Sequence, residues 1–466
     1  MNRRSFTKAL LAGGCLLPFA NSRLGFAGYA QAATPSLAVR AVTRVIEVNG
    51  KAATVFGLIG PDGRPGLSLD ADVVTKVDLI SDLSVETMIH WHGLTPPWPQ
   101  DGVPGMPSPM LSAGETRTYG LPGGRPGTHW MHAHTLQEQL LLAAPLIVRG
   151  KADQTQDAQD VVILLHDFSW KTPEELLAGL QKGGAMGGMD MSAMKGMDMM
   201  SDLNDIEYDA YLANDRTLDD PEVVAVDKGG MVRVRIINGA TATGFTMDVG
   251  ALQAQVIAVD GQDITPLTTT TFPLSMGQRV DFLCRIPAGG GAFPILALRE
   301  GAPERAGIVL ATKGAAVAKL PVAGATNGPV LTLDSEAVLV TARPLVAMPA
   351  TRRFALDLTG AMDCYTWGIA MPAPIKVVQG DRVELTFRNM TMMAHPMHLH
   401  GHHFQVVAIN GSARNGALRD TVLVPPMTSV TVAFDANNPG DGWALHCHHL
   451  YHMATGMMTT VAYAEV

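Results

Sequence analysis

The sequence predicts an all-β protein built from repeated sandwich or barrel modules, and three observations carry that prediction. From Ala33 onward, short β-rich runs are separated by turns in a chain that holds 48 Gly and 30 Pro. Evenly spaced short strands with turn signals are the pattern of sandwiches and barrels. Three of these runs resemble one another: Val73-Val74-Thr75-Lys76-Val77, Met231-Val232-Arg233-Val234-Arg235-Ile236 and Arg382-Val383-Glu384-Leu385-Thr386-Phe387. They start 158 and then 151 residues apart and lead into turns at Asp82, Asn238 and Asn389, which is a domain-sized repeat. Charged residues make up only 17% against 47% hydrophobic, the composition of buried cores and not of a disordered chain or a coiled coil.

Along the chain, residues 1–32 read as an export leader. Asn2-Arg3-Arg4-Ser5-Phe6-Thr7-Lys8 matches the twin-arginine pattern of bacteria, an apolar stretch runs from Ala9 to Ala20, and Ala30-Gln31-Ala32 offers a small-x-small cleavage site. The apolar stretch is short for a span, and no later segment reaches the ~18 unbroken apolar residues a span requires. A soluble periplasmic monomer handled by the twin-arginine translocation machinery is therefore expected. Polar or small-residue stretches at Lys151–Ala158 and Gly314–Pro329 divide the remainder into 33–152, 153–318 and 319–466.

One segment of the second unit departs from the strand pattern. Residues 185–200 carry Met186, Met189, Met191, Met194, Met197, Met199 and Met200 among Gly, Ala, Ser, Asp and Lys. A core helix would use Leu and Ile there. The segment reads either as an inert insert or as a soft-metal flap, because thioether sulfur prefers Cu(I).

Charge and composition then narrow the function. With 34 Lys plus Arg against 43 Asp plus Glu, the net charge of −9 leaves no broad basic footprint for nucleic acid. Four Cys cannot staple 466 residues, while 15 His and 26 Met point to metal chemistry, and copper accepts both donors. Four His-x-His pairs decide the matter: His90/His92, His132/His134, His398/His400 and His446/His448. Random placement of 15 His would give roughly 0.5 such pairs, so four require a cause. Residues i and i+2 of a strand project from one face, so eight imidazoles can converge on one polynuclear site.

The same alternation turns Cys447 away from His446 and His448. His395 has the opposite parity from His398 and His400, His452 follows Cys447 by five residues, and Met457 follows it by ten. Two imidazoles, a thiolate and a weak axial thioether form the blue-copper set. The residue types and spacings thus give a mononuclear and a polynuclear site joined through Cys447.

His90-Trp91-His92-Gly93, His132-Ala133-His134, His395-Pro396-Met397-His398-Leu399-His400-Gly401 and the run from His446 through His452 to Met457 resemble the four copper motifs of the multicopper oxidases, the family of laccases, bilirubin oxidases and bacterial cuprous oxidases. The resemblance spans the mature chain and implies three consecutive cupredoxin-like Greek-key sandwiches, the third carrying the type 1 copper. It implies four coppers per chain. His395, Cys447, His452 and Met457 would hold type 1, His90 and His398 type 2, and His92, His132, His134, His400, His446 and His448 the type 3 pair. Asp101 matches the family's acid near the trinuclear cluster, where it would orient water and pass protons. Several relatives carry a further acid at the positions of Leu450 or Met453; neither residue is acidic here, so the rest of the relay is undefined. His129, His166, His402, His403 and His449 fall outside the ligand pattern. Cys284 and Cys364 could pair in an oxidising compartment, which spacing alone does not decide.

The expected activity is one-electron oxidation of Cu(I) or phenolic compounds coupled to reduction of O2 to water, with a role in copper tolerance. A laccase-like phenol or Mn(II) oxidase is the nearest alternative. A copper nitrite reductase would lack the four His-x-His pairs, and a non-enzymatic periplasmic copper-binding relative would lack ligands that this chain retains.

Overall fold

A computed structural model describes residues 36–151, 153, 157–182 and 203–464. The leader and the methionine-rich segment at 185–200 lie outside these residues. The described chain from Ser36 onward forms six β-sheets, two for each of three successive sandwiches.

In the first sandwich, Lys51–Ile59, Leu37–Val48, Val74–Ser81 and Thr116–Pro122 form one sheet; Leu67–Asp70, Ala143–Arg149, Gly127–Ala133 and Ile89–His92 form the other. Alternation places Val39, Ala41, Val77 and Leu79 inside, against Leu146 and Val148 of the facing sheet. The second and third sandwiches repeat the plan with larger sheets. Fold class is therefore all-β, as the strand and turn pattern predicts.

The internal repeat is visible in the register. Each of the three similar runs pairs in parallel with the first long strand of its own sandwich: Val77 opposite Leu37, Met231 opposite Ala158 and Val383 opposite Arg352. The turns that follow are also related. Asn238 donates from its amide to the carbonyls of Thr243 and Leu274, and Asn389 does the same to Met393 and Val424. In the first sandwich Asp82 instead accepts from the Arg40 guanidinium at 2.6 and 2.7 Å. Among the described residues no helix is long and apolar enough to cross a membrane.

Candidate metal centres

Two strand pairs set the imidazoles. Ile89–His92 runs antiparallel to Gly127–Ala133 with His90 opposite His132, and His395–Leu399 runs antiparallel to Trp443–Cys447 with His398 opposite His446. Residues directly opposite in an antiparallel ladder share a face. The second histidine of three pairs lies just past its strand yet stays in the ladder: His134 N–H bonds to Met88, His400 N–H to Ala444 and His448 N–H to Pro396. The first pair of strands belongs to the first sandwich and the second to the third, and their histidine faces meet.

All eight of these histidines are buried. Across the contact, His90 Nε2 is 3.4 Å from His398 Nε2, and His134 Nε2 is 3.3 Å from His446 Nε2, which is in turn 3.0 Å from His400 Nε2. Two imidazoles bonded to one metal at about 2.0 Å and at right angles stand about 3 Å apart, so these separations suit shared metal ligation.

The other ring nitrogens explain the orientation. Nδ1 of His90 donates to the Asp101 carbonyl at 2.9 Å, His398 to the Asp420 carbonyl at 2.8 Å, and His446 to the Cys447 carbonyl at 2.9 Å. Carboxylates receive His400 Nδ1 (Asp101, 2.8 Å) and His132 Nδ1 (Glu138, 3.0 Å). An imidazole that donates from Nδ1 keeps its lone pair on Nε2, turned to the cluster. His92 is reversed: Nε2 contacts Asp420 at 3.1 Å and Nδ1 has no partner. Burial first, and the neighbouring rings next, hold His92, His132, His134, His398, His400 and His448 well below the ordinary histidine range, and burial brings His446 down to about 4. These seven rings are thereby neutral, metal-ready donors.

The mononuclear set assembles on the opposite face. Cys447 Sγ is 3.7 Å from Nδ1 of both His395 and His452, and those two nitrogens are 3.1 Å apart. Cys447 lies opposite Met397, hence on the face of His395, as the alternation argument requires. His452 comes from the short helix Leu450–Ala454, and the chain then turns so that buried Met457 accepts the Cys447 N–H on its carbonyl at 3.0 Å. Burial pushes the Cys447 thiol up, so a thiolate here requires a cation. The Trp367 ring covers His452 at 4.0 Å.

The remaining histidines separate from the donors. His449 stacks on His452 at 3.7 Å. His402 donates to the His400 carbonyl and contacts the Tyr463 hydroxyl at 2.6 Å, and His166 bonds to the Gly239 carbonyl at 3.0 Å. His129 and His403 line a cavity beside Gly93. Cys284 is buried and Cys364 exposed, both as free thiols, so the pairing that the sequence leaves open is not made.

Several residues at the two centres were missed by sequence reasoning. Glu138 follows His134 by four residues, the one such case with a proximity signal. Asp205 had none: it lies against His449 Nε2 at 3.2 Å and His452 Nε2 at 3.7 Å and accepts the Tyr365 hydroxyl. Although burial opposes it, the two imidazoles hold the Asp205 carboxyl below the usual range. Asp205 also lines a surface cavity of about 300 Å³ with Glu175 and Glu207. A second, ion-sized cavity of about 30 Å³ adjoins His449 and is lined by Met276, Met393, Glu300 and Ser275.

Family models described as multicopper oxidase match residues 41–153, 159–318 and 347–465. The chain is 32% identical to "Multicopper oxidase MmcO" of Mycobacterium tuberculosis over 404 residues, 83% of this chain and 79% of that one. It is 25% identical to "Copper resistance protein A" of Escherichia coli, covering 86% and 88%. The fold superposes on the laccase of Botrytis aclada with a TM-score of 0.74 at 21% identity, covering 93% and 88%.

Proposed function

The chain belongs to the multicopper oxidases, and from that membership we propose that it is a copper-tolerance oxidase that draws single electrons from Cu(I) or phenolic compounds and delivers them to O2. The observation that carries the reading is the convergence of eight buried imidazoles back to back with the Cys447 set. The donors fit copper: Nδ1 of His92, Nε2 of His132 and both nitrogens of His448 are buried and have no hydrogen-bond partner. His395, Cys447, His452 and Met457 would hold the type 1 ion, His90 and His398 the type 2, and His92, His132, His134, His400, His446 and His448 the type 3 pair. Four coppers so bound supply one-electron oxidation at the thiolate centre and four-electron reduction of O2 to two waters at the other.

The chain's own residues orient and protonate. Asp101 fixes His90 through its carbonyl and His400 through one carboxylate oxygen, while Oδ1, 3.3 Å from His90 Nδ1, makes no hydrogen bond and is free to accept one from water. Glu138 fixes His132 from the second motif and puts an acid beside the cluster although Leu450 and Met453 are apolar. Asp205, buried against Nε2 of both His449 and His452, orients the His452 ring.

Cu(I) is favoured as substrate by the ion-sized cavity next to His449, whose two thioethers and one carboxyl are a soft-cation donor set. The carboxylates of the larger cavity favour a second reading, oxidation of Mn(II) or phenols. Steady-state kinetics of the fully copper-loaded protein on Cu(I), Mn(II) and a phenol tests both, and bound Cu(I) without O2 uptake would instead mark a storage protein. The leader pattern supports export, already folded, to the periplasm by the twin-arginine route. The proposed oligomeric state is a monomer.

A further inference from the structure

The middle sandwich holds none of the metal-donor residues, yet one of its side chains reaches the supports of the cluster from below. Arg279 opens the strand Arg279–Arg285 and is fully buried. Its Nη1 and Nη2 grip the two oxygens of Asp420 at 2.6 and 2.5 Å, and its Nε bonds to the Thr128 carbonyl of the first sandwich at 3.2 Å. Asp420 in turn accepts from His92 Nε2 at 3.1 Å and from Thr421 Oγ1 at 2.9 Å, while its carbonyl takes His398 Nδ1 at 2.8 Å. Asp260, beside Arg279 in the middle sandwich, accepts the Arg279 backbone N–H at 2.9 Å and Arg419 of the third sandwich at 3.1 Å.

Two glycines show how tightly this joint is built. Gly277 has φ +78°, and a β-carbon there would fall 2.6 Å from the His448 ring. Gly93 has φ +88°, and a β-carbon there would fall 2.5 Å from Arg279 Nη2. The 277–279 turn therefore lies directly against a donor ring and against the turn after the first motif.

We propose that Arg279 is a positioning residue for the polynuclear site: through Asp420 it fixes His92 and His398, and so sets how much copper that site holds, without influence on the Cys447 centre. The inference rests on the reading that the eight imidazoles bind copper. The planar fork of Arg fills both carboxylate oxygens at once and leaves Oδ1 directed at His92. Lysine has one ammonium and cannot hold that geometry. Without the fork, His92 loses the acceptor that keeps its proton on Nε2 and its lone pair on Nδ1.

The test compares copper per chain and spectra for copper-loaded wild type, Arg279→Lys, Asp420→Asn and the control Arg235→Lys. Arg235 is equally buried in the middle sandwich and bonded to Asp153, Asp160, Asp281 and the Thr128 hydroxyl, so it reaches the same strand of the first sandwich as Arg279 but makes no bond to Asp420. Arg279→Lys and Asp420→Asn are expected to lose two or more coppers per chain, with altered type 2 paramagnetic resonance and an unchanged blue band per chain. Arg235→Lys should keep wild-type copper. Wild-type copper in Arg279→Lys overturns this inference alone, and so does the same copper loss in Arg235→Lys or a parallel loss of the blue band. If Arg279→Lys does not fold, full copper in Asp420→Asn overturns it. A wild type with no copper beyond the blue centre overturns this inference and the functional reading together.

Discussion

His446 donates from Nδ1 to the carbonyl oxygen of Cys447 at 2.9 Å, so two neighbours that face opposite ways are joined twice, by the peptide bond and by a hydrogen bond. The proposed mononuclear and polynuclear sites are thereby linked through two adjacent buried residues, Cys447 and His446.

Purified, metal-loaded protein should be blue and contain close to four coppers per chain. Cys447→Ser should abolish the intense visible band and oxidase activity while circular dichroism keeps its all-β form. A blue Cys447→Ser protein refutes the thiolate assignment.

The role proposed for Asp101 is on the oxygen side. Asp101→Asn should slow reoxidation of the reduced protein about tenfold or more, within the range of lost acid–base assistance. Reduction of the blue centre by substrate should stay near wild type. Stopped-flow traces with unchanged reoxidation count against the role.

Acid should destabilise the metal-free protein in a defined window. Burial brings His446 down to about 4 and His452 to about 3, while an unfolded histidine titrates near 6.5. Between those values the unfolded chain binds more protons than the folded one, so stability falls as pH drops from about 6.5 to about 4. Denaturation midpoints should therefore fall between pH 7 and pH 4.5 without metal, and fall less when copper occupies the rings. A flat pH profile for the metal-free protein sinks the argument.

If the small cavity takes Cu(I), Glu300 should give cuprous oxidation its own pH dependence. Burial pushes its carboxyl up to about 7, so below that pH the small cavity loses its anionic donor. KM for Cu(I) should rise as pH falls from 7.5 to 5.5, and Glu300→Gln should remove most of that trend. Phenol KM at the separate Asp205 cavity should not follow it. An identical Cu(I) profile in Glu300→Gln would exclude the cavity as the cuprous site.

Deleting residues 185–200 separates the two readings of the methionine-rich segment. If it collects Cu(I), cuprous oxidation should weaken much more than phenol oxidation; if it also shields His452, phenol turnover should rise. Equal rates before and after deletion on both substrates make the segment an inert insert.

The donors were legible because a strand converts spacing into direction: His90/His92 and Cys447 between His446 and His448 could be placed on faces before any fold was known. The repeat was legible for a related reason, since the runs at 73, 231 and 382 all pair in parallel with the first long strand of a sandwich. Asp205, Asp420 and Arg279 were not legible. Each acts across a contact between residues more than 140 positions apart in sequence, and a lone Asp or Arg carries no periodicity that distinguishes it from a surface charge. Glu138 lay close to a motif but has Gln on either side, and nothing in that run marks which residue faces His132.

The meeting of the two histidine faces also has a mechanical meaning. Because the imidazoles of one polynuclear set are divided between the first and third sandwiches, metal ions held there would act as cross-links between the first sandwich, which has a core of its own, and the third, whose core is continuous with that of the second. Loading the ions should then merge separate melting of the first sandwich and of the other two into one cooperative transition in calorimetry, since neither the first nor the third can open without giving up ligands of the shared site.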